Sequence, residues 1–152
     1  MEEPSMKERI NEKIEQIERY LIELEEIKSE NFEEYKIDFK TRAACEHYFE
    51  KIVEACEDLA FLFLRERKLR FPDKEESVFN ILYEDKIISN ILNKNLQEAK
   101  KMRNKITHWY EEVDDKIVFE AINNELEGDI RKFIKEILSY VENTSSKCEQ
   151  KR

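Results

Sequence analysis

The sequence predicts an all-α chain folded as an up-and-down bundle of four to five main helices. Three observations carry that reading. One glycine and two prolines among 152 residues leave almost no material for β-turns. Charged residues make up 41% of the chain, and the apolar residues between them recur at the helical spacings of three and four. The longest apolar run covers residues 59–64, far short of what a bilayer span needs. The length suits one domain with a real core, placed at residues 1–142, followed by a polar, flexible tail at 143–152.

The elements follow in order. The first helix is expected over about residues 5–28. Ser5 followed by Glu8 fits a capping box, and Ile10, Ile14, Ile17, Leu21 and Leu24 form a coiled-coil-like seam. Residues 29–36 read as a connection. Asp38 is a good N-cap for a long helix to about residue 68, with Ala44, Tyr48, Ile52, Cys56, Leu59 and Phe63 among its apolar positions. Its run from residue 59 to 64 is apolar all round and calls for cover on more than one side. Arg70-Phe71-Pro72-Asp73 breaks the pattern. Short helices are predicted over about 77–83 and 85–92. A further helix over 94–110 turns Leu92, Leu96, Ala99, Met102, Ile106 and Trp109 inward. After a turn at 111–115, a last helix to residue 141 carries the stripe Phe119, Ile122, Leu126, Ile130, Phe133, Ile134, Ile137 and Leu138, with Gly128 weakening it slightly.

Composition narrows the function. The acidic start Met1-Glu2-Glu3-Pro4 has no apolar stretch of the kind a signal peptide carries. Cys45, Cys56 and Cys148 lack CxxC spacing, so disulfide and zinc readings are poor and no metal or other cofactor is expected. Both features fit a cytoplasmic protein with no membrane association. The net charge of −9 argues against sequence-independent coating of nucleic acid. It leaves room for a local basic strip, and Lys94, Lys100, Lys101, Arg103 and Lys105 crowd one segment. Alone, such a run reads as a solvated helix face; beside a candidate site it suggests an anionic ligand.

That candidate site is Arg103-Asn104-Lys105-Ile106-Thr107-His108-Trp109-Tyr110. With about 100° per residue, Arg103, Asn104, Thr107, His108 and Tyr110 fall on one polar arc, opposite Met102, Ile106 and Trp109. Lys100 and Lys101 project onto the arc or its border. Each residue has a plainer reading: Arg103 as a surface ion pair, Asn104 as a surface amide, His108 as a partner of the helix C-terminus, Tyr110 as a half-buried aromatic. Trp109 reads as core or dimer interface. His47, mid-helix, reads as an ordinary surface or core histidine.

On these residues the chain resembles the HEPN superfamily of small helical bundles, and within it the HepT-like toxins. The family signature is Arg, a polar residue, His five positions after the Arg, and Tyr two further on. Arg103-Asn104, His108 and Tyr110 match it without a change of spacing. The long helix before the motif, the Phe71-Pro72 connection, the Val113-Asp114 turn and the final amphipathic helix fit as well. The resemblance covers about residues 37–140, with the first helix as an N-terminal addition.

The resemblance implies a metal-independent endoribonuclease toxin, a homodimer with a composite active site. It also implies an MNT-type nucleotidyltransferase antitoxin that transfers AMP units to Tyr110. Metal-free RNA cleavage needs a base for the ribose 2′-OH, an acid for the leaving 5′-oxygen and a cation for the phosphate. His108 suits the proton transfers and Arg103 the phosphate. Asn104 is placed to orient His108 from four residues earlier. Tyr110 contacts phosphate or base, or carries the modification, and Lys100 and Lys101 bind RNA. One alternative is a non-catalytic helical module that binds a nucleotide or the transferase. A third reading, from the seam of the first helix, is a coiled-coil-like assembly protein.

Overall fold

The computed structural model describes residues 3–150, with side chains through Val141. Among the described residues, regular structure is helical throughout and no strand occurs. Helix α1 (Met6–Ile27) begins with the expected capping box: the Glu8 amide donates to Ser5 Oγ at 3.2 Å, and the Ser5 amide to Glu8 Oε2 at 3.3 Å. Its five seam residues are all buried. They pack on α3 (Phe39–Arg67), and Lys13–Asp58 at 3.5 Å and Tyr48–Glu23 at 2.6 Å fix the two helices as antiparallel.

The stretch expected to be a connection holds a short helix, α2 (Phe32–Ile37). Asn31 caps it, accepting from the Glu34 amide at 3.1 Å. Phe32 and Tyr35 anchor it by packing on Phe119, each with ring centroids 5.4 Å away. Six residues are too few to display a period, so those two anchors gave no helical signal.

Asp38 caps α3 through Oδ1, which accepts from the amides of Lys40 and Thr41 at 3.2 Å. Lys68 ends the helix in the left-handed region, φ 56° and ψ 38°, and the Leu69 amide returns to the Leu64 carbonyl at 2.9 Å. α3 is the centre of the bundle. It contacts α1, α2, α4 (Val78–Glu84) and α5 (Asn90–His108), and Leu59, Ala60, Phe63 and Leu64 are fully buried, as their all-round apolarity demands.

The helix expected over 85–92 does not form. Lys86 takes a positive φ of 63°, which lets the Ile87 amide reach back to the Leu82 carbonyl at 2.8 Å and close α4. Ile87 and Ile88 then turn into the core, and Ser89 caps α5 by accepting from the Leu92 amide at 3.2 Å.

The last helix is one rod in three parts: α6 (Asp115–Glu120), a π-helical turn Ala121–Glu125, and α7 (Leu126–Gln150). At the turn, the Asn123 side-chain amide donates to the Phe119 carbonyl at 3.0 Å and the Ser29 carbonyl at 3.2 Å. The wide turn has a packing reason. Val118, Ile122, Leu126 and Ile130 are spaced by four, and all are buried. On an ordinary α-helix each such step would swing the stripe round by about 40°. α7 continues to Gln150, past Asn143, where the polar tail was expected to begin. The side chains of 142–150 and residues 151–152, with Cys148 and the tail's expected flexibility, lie outside the described residues.

Cys45 and Cys56 are buried, and burial pushes the Cys45 thiol up to about 11 and raises that of Cys56 as well. No helix among the described residues is long and apolar enough to cross a membrane.

Candidate functional site

The site lies where α5 runs antiparallel to α3. On α5, Lys100, Arg103 and Thr107 follow one another at spacings of three and four, so they share a face. On α3, Glu46, Glu50, Glu54 and Glu57 do the same. The two stripes meet rung by rung. Arg103 Nη2 donates to Glu57 Oε1 at 2.7 Å, and Nη1 lies 3.5 Å from Glu54 Oε1. Lys100 Nζ is 3.5 Å from the other oxygen of Glu57. Thr107 Oγ1 donates to Glu50 Oε2 at 3.1 Å, and Tyr110 Oη to Glu46 Oε1 at 3.2 Å. The Arg103–Glu57 pair is sheltered, at 17% and 14% side-chain exposure, and Arg103 Nε is buried without a partner. Lys101 pairs along its own helix with Glu98 at 3.2 Å.

The end of α5 differs from expectation. The helix stops at His108. Trp109, at φ −134° and ψ 49°, turns the chain, and Tyr110 starts a short 3₁₀ turn, Tyr110–Glu112. Tyr110 is therefore not on the helical arc. It still reaches the Arg103 side, because the turn swings its ring back over α3. Trp109 does not join Ile106 in the core: its backbone has left the helix, and its side chain is 62% exposed.

The polar arc itself divides. Arg103, Thr107 and Tyr110 face the carboxylates of α3. Asn104 and His108, about 100° further round, face away from them. Asn104 is half-buried and His108 exposed. Among the described residues neither side chain makes a hydrogen bond, so the orienting contact anticipated between them is not formed within this chain. His108 sits in the last turn of α5. His47 is exposed on the surface.

Glu46 is unusual among these carboxylates. It is 4% exposed, and burial raises its pKa above the usual carboxylate range. The charges of Asp115 and Glu50 add to the rise, while the Tyr110 bond and the Arg42 guanidinium oppose it. Burial, then the Glu46 bond, raise the Tyr110 phenol. Beside them the Tyr35 hydroxyl is buried without a partner, and burial and the Glu46 charge raise it too. The carboxylate stripe escaped the sequence analysis. Its signal was present as the matching periods of Glu46, Glu50, Glu57 and Lys100, Arg103, Thr107 on two long helices.

Chemically, the arrangement offers a guanidinium fork with a neighbouring ammonium, an exposed imidazole, and a phenol whose proton already points at a carboxylate. No cluster of three or more potential metal ligands occurs among the described residues.

Comparison with known proteins gives the family. The chain is similar to the mRNA nuclease HepT of Shewanella oneidensis, with 29% identity over 101 residues, 66% of this chain and 75% of that protein. Its fold matches the tri-AMPylated HEPN toxin of Shewanella oneidensis, solved in complex with an MNT antitoxin. There the TM-score is 0.78 at 27% identity, covering 86% of this chain and 96% of that one. The YutE protein of Bacillus subtilis, at 16% identity, shares the fold with a TM-score of 0.75 over 90% of each chain. A family model described as "Ribonuclease HepT-like" matches residues 10–137. The chain belongs to the HepT-like family.

Proposed function

We propose that this protein is an endoribonuclease toxin of a toxin–antitoxin pair, held in check by an MNT-type nucleotidyltransferase that adds AMP to Tyr110. The observation that carries the reading is the placement of Arg103, His108 and Tyr110 at one end of α5, with Lys100 one turn earlier on the Arg103 face. The relatives support it: one is an mRNA nuclease, another a tri-AMPylated toxin in complex with its antitoxin.

In this reading Arg103 leaves Glu54 and Glu57 to grip the scissile phosphate through its planar fork. Lys100 and Lys101 hold the backbone on either side. His108, exposed at the end of α5, moves the protons. One imidazole serves as base or acid, so a homodimer that joins two α5 ends across one groove supplies both. The exposed Trp109 fits the contact between copies, and Asn104 then orients an imidazole within that groove. AMP on Tyr110 adds a bulky anion to the face that carries Arg103 and opposes the positive charge that RNA needs.

The test is cleavage of a labelled RNA pool in EDTA by the wild type and His108→Ala. Cleavage by the wild type only, leaving 2′,3′-cyclic phosphate ends, is the expected result. Failure of a wild type shown by mass spectrometry to carry no AMP would overturn it. One observation favours a second reading, a non-catalytic partner module of the transferase: Arg103 is already engaged by two carboxylates. That module would bind the transferase and leave RNA intact.

A further inference from the structure

We propose that Glu46 is the general base for nucleotidyl transfer to Tyr110. The inference rests on the reading above, in which Tyr110 is the modified residue, and adds the group that makes its oxygen reactive. In the step, Tyr110 Oη attacks the α-phosphorus of a nucleoside triphosphate held by the transferase. The new O–P bond forms as the bond to the β-phosphate breaks. Pyrophosphate leaves, and the phenol proton passes to the Glu46 carboxylate, which returns it to solvent.

A tyrosine hydroxyl is a weak nucleophile near neutral pH, because its proton is held to about pH 10. Here burial and the neighbouring carboxylate hold it more tightly still. Such a group needs an adjacent base within hydrogen-bond reach. Glu46 is that base by geometry: Oη donates to Oε1 at 3.2 Å. Tyr110 as a residue is 54% exposed while Glu46 is 4% exposed, so the ring stands at the surface and its hydroxyl proton points inward to the carboxylate.

The surroundings tune the carboxylate for the task. Tyr35 from α2, Arg42, Cys45 and Glu50 from α3, and Asp115 from α6 are the titratable groups around it besides Tyr110. Burial and the two acids make Glu46 a stronger base than a surface glutamate. Arg42 keeps the cluster from becoming uniformly negative. The other rungs of the stripe differ, since Glu50 meets a threonine and Glu54 and Glu57 meet cations.

The experiment incubates the full chain with the MNT-type transferase and ATP labelled in its α-phosphate. It follows the rate of label incorporation at Tyr110 against pH, for wild type, Glu46→Gln, Glu46→Asp and Glu50→Gln. Glu46→Gln is expected to label about 10²-fold more slowly at neutral pH. Its rate should climb steadily as pH rises toward the phenol range, whereas the wild-type rate levels off above the carboxylate range. Glu46→Asp, with a base on a shorter arm, should fall between the two, and it keeps the question answerable if Gln disturbs folding. Glu50→Gln removes from the next rung one of the charges that raise Glu46, and it should slow labelling less than Glu46→Gln does. A Glu46→Gln protein with the wild-type rate and pH profile would overturn the assignment of the base alone. A wild type that takes no label at Tyr110, with active transferase present, would overturn the modification reading and this inference with it.

Discussion

The two sides of α3 make an instructive contrast. Toward α1 it meets a stripe of isoleucine and leucine, Ile10 to Leu24, all buried. Toward α5 it offers four carboxylates to a lysine, an arginine, a threonine and a tyrosine. One interface is apolar and non-directional, so its job is stability. The other is polar and specific. Its members lose water on pairing, which makes the gain in stability small and each partner's geometry exacting. One helix thus separates the part that holds the fold from the part that holds the chemistry.

Substitutions on the two sides should behave oppositely. The largest effect is expected on the polar side: Arg103→Ala should lower RNA cleavage by about 10²–10³-fold with an unchanged helical spectrum. Cleavage kinetics beside circular dichroism check it, and full activity in a folded variant would remove Arg103 from the site. On the apolar side, Leu21→Ala should cost about 2–5 kcal/mol in chemical denaturation while leaving cleavage by the folded protein unchanged.

Glu57→Gln probes the border between the two roles. It should destabilise by about 1–3 kcal/mol, because a sheltered guanidinium loses its charged partner. The same change should tighten RNA binding, since Arg103 then has only the more distant Glu54 to leave. Weaker binding in a filter or anisotropy assay would mean that Glu57 aims Arg103 rather than restraining it.

The smallest effect is a matter of pH. The Arg70 fork, 2.7 and 2.8 Å from Glu76, lowers that carboxyl from its ordinary 4.5 to about 2. Its stabilising contribution is present above pH 4.5 and fades as pH falls through about 2. Glu46 has the opposite sign: its pKa is raised in the folded state, so folding gains as pH falls through that raised value. Melting temperatures against pH for Arg70→Ala should lose the acid-side decline assigned to Glu76. For Glu46→Gln they should lose the gain.

How much of this was legible in the sequence follows from the same contrast. The seam of α1, the caps Ser5 and Asp38 and the burial of Leu59, Ala60, Phe63 and Leu64 were readable, because period and capping are local properties. α2 was not, since Asn31, Phe32 and Tyr35 gain meaning only through Phe119, far along the chain. The end of α5 was hidden because neither glycine nor proline marks Trp109. At the site, the spacing of Arg103, Asn104, His108 and Tyr110 was readable. The split of their arc was not, as it depends on which way α5 rolls against α3. The acidic stripe was visible as a period, but its importance emerges only when a second helix carries the complement.

The π-helical turn at Ala121–Glu125 has a consequence for how this chain can change length. It is a place where one residue more than an α-helix needs has been absorbed without breaking the rod. Removing a single residue there would convert the segment to ordinary helix, and the buried positions Val118, Ile122, Leu126 and Ile130, then spaced by four, three and four, would keep one face. Phe133 and Ile137 would stay with the core. The same deletion within α7, where no spare residue is held, would turn every later face by about 100°. The final helix is consequently most tolerant of a single-residue loss at the one point where its backbone is most relaxed.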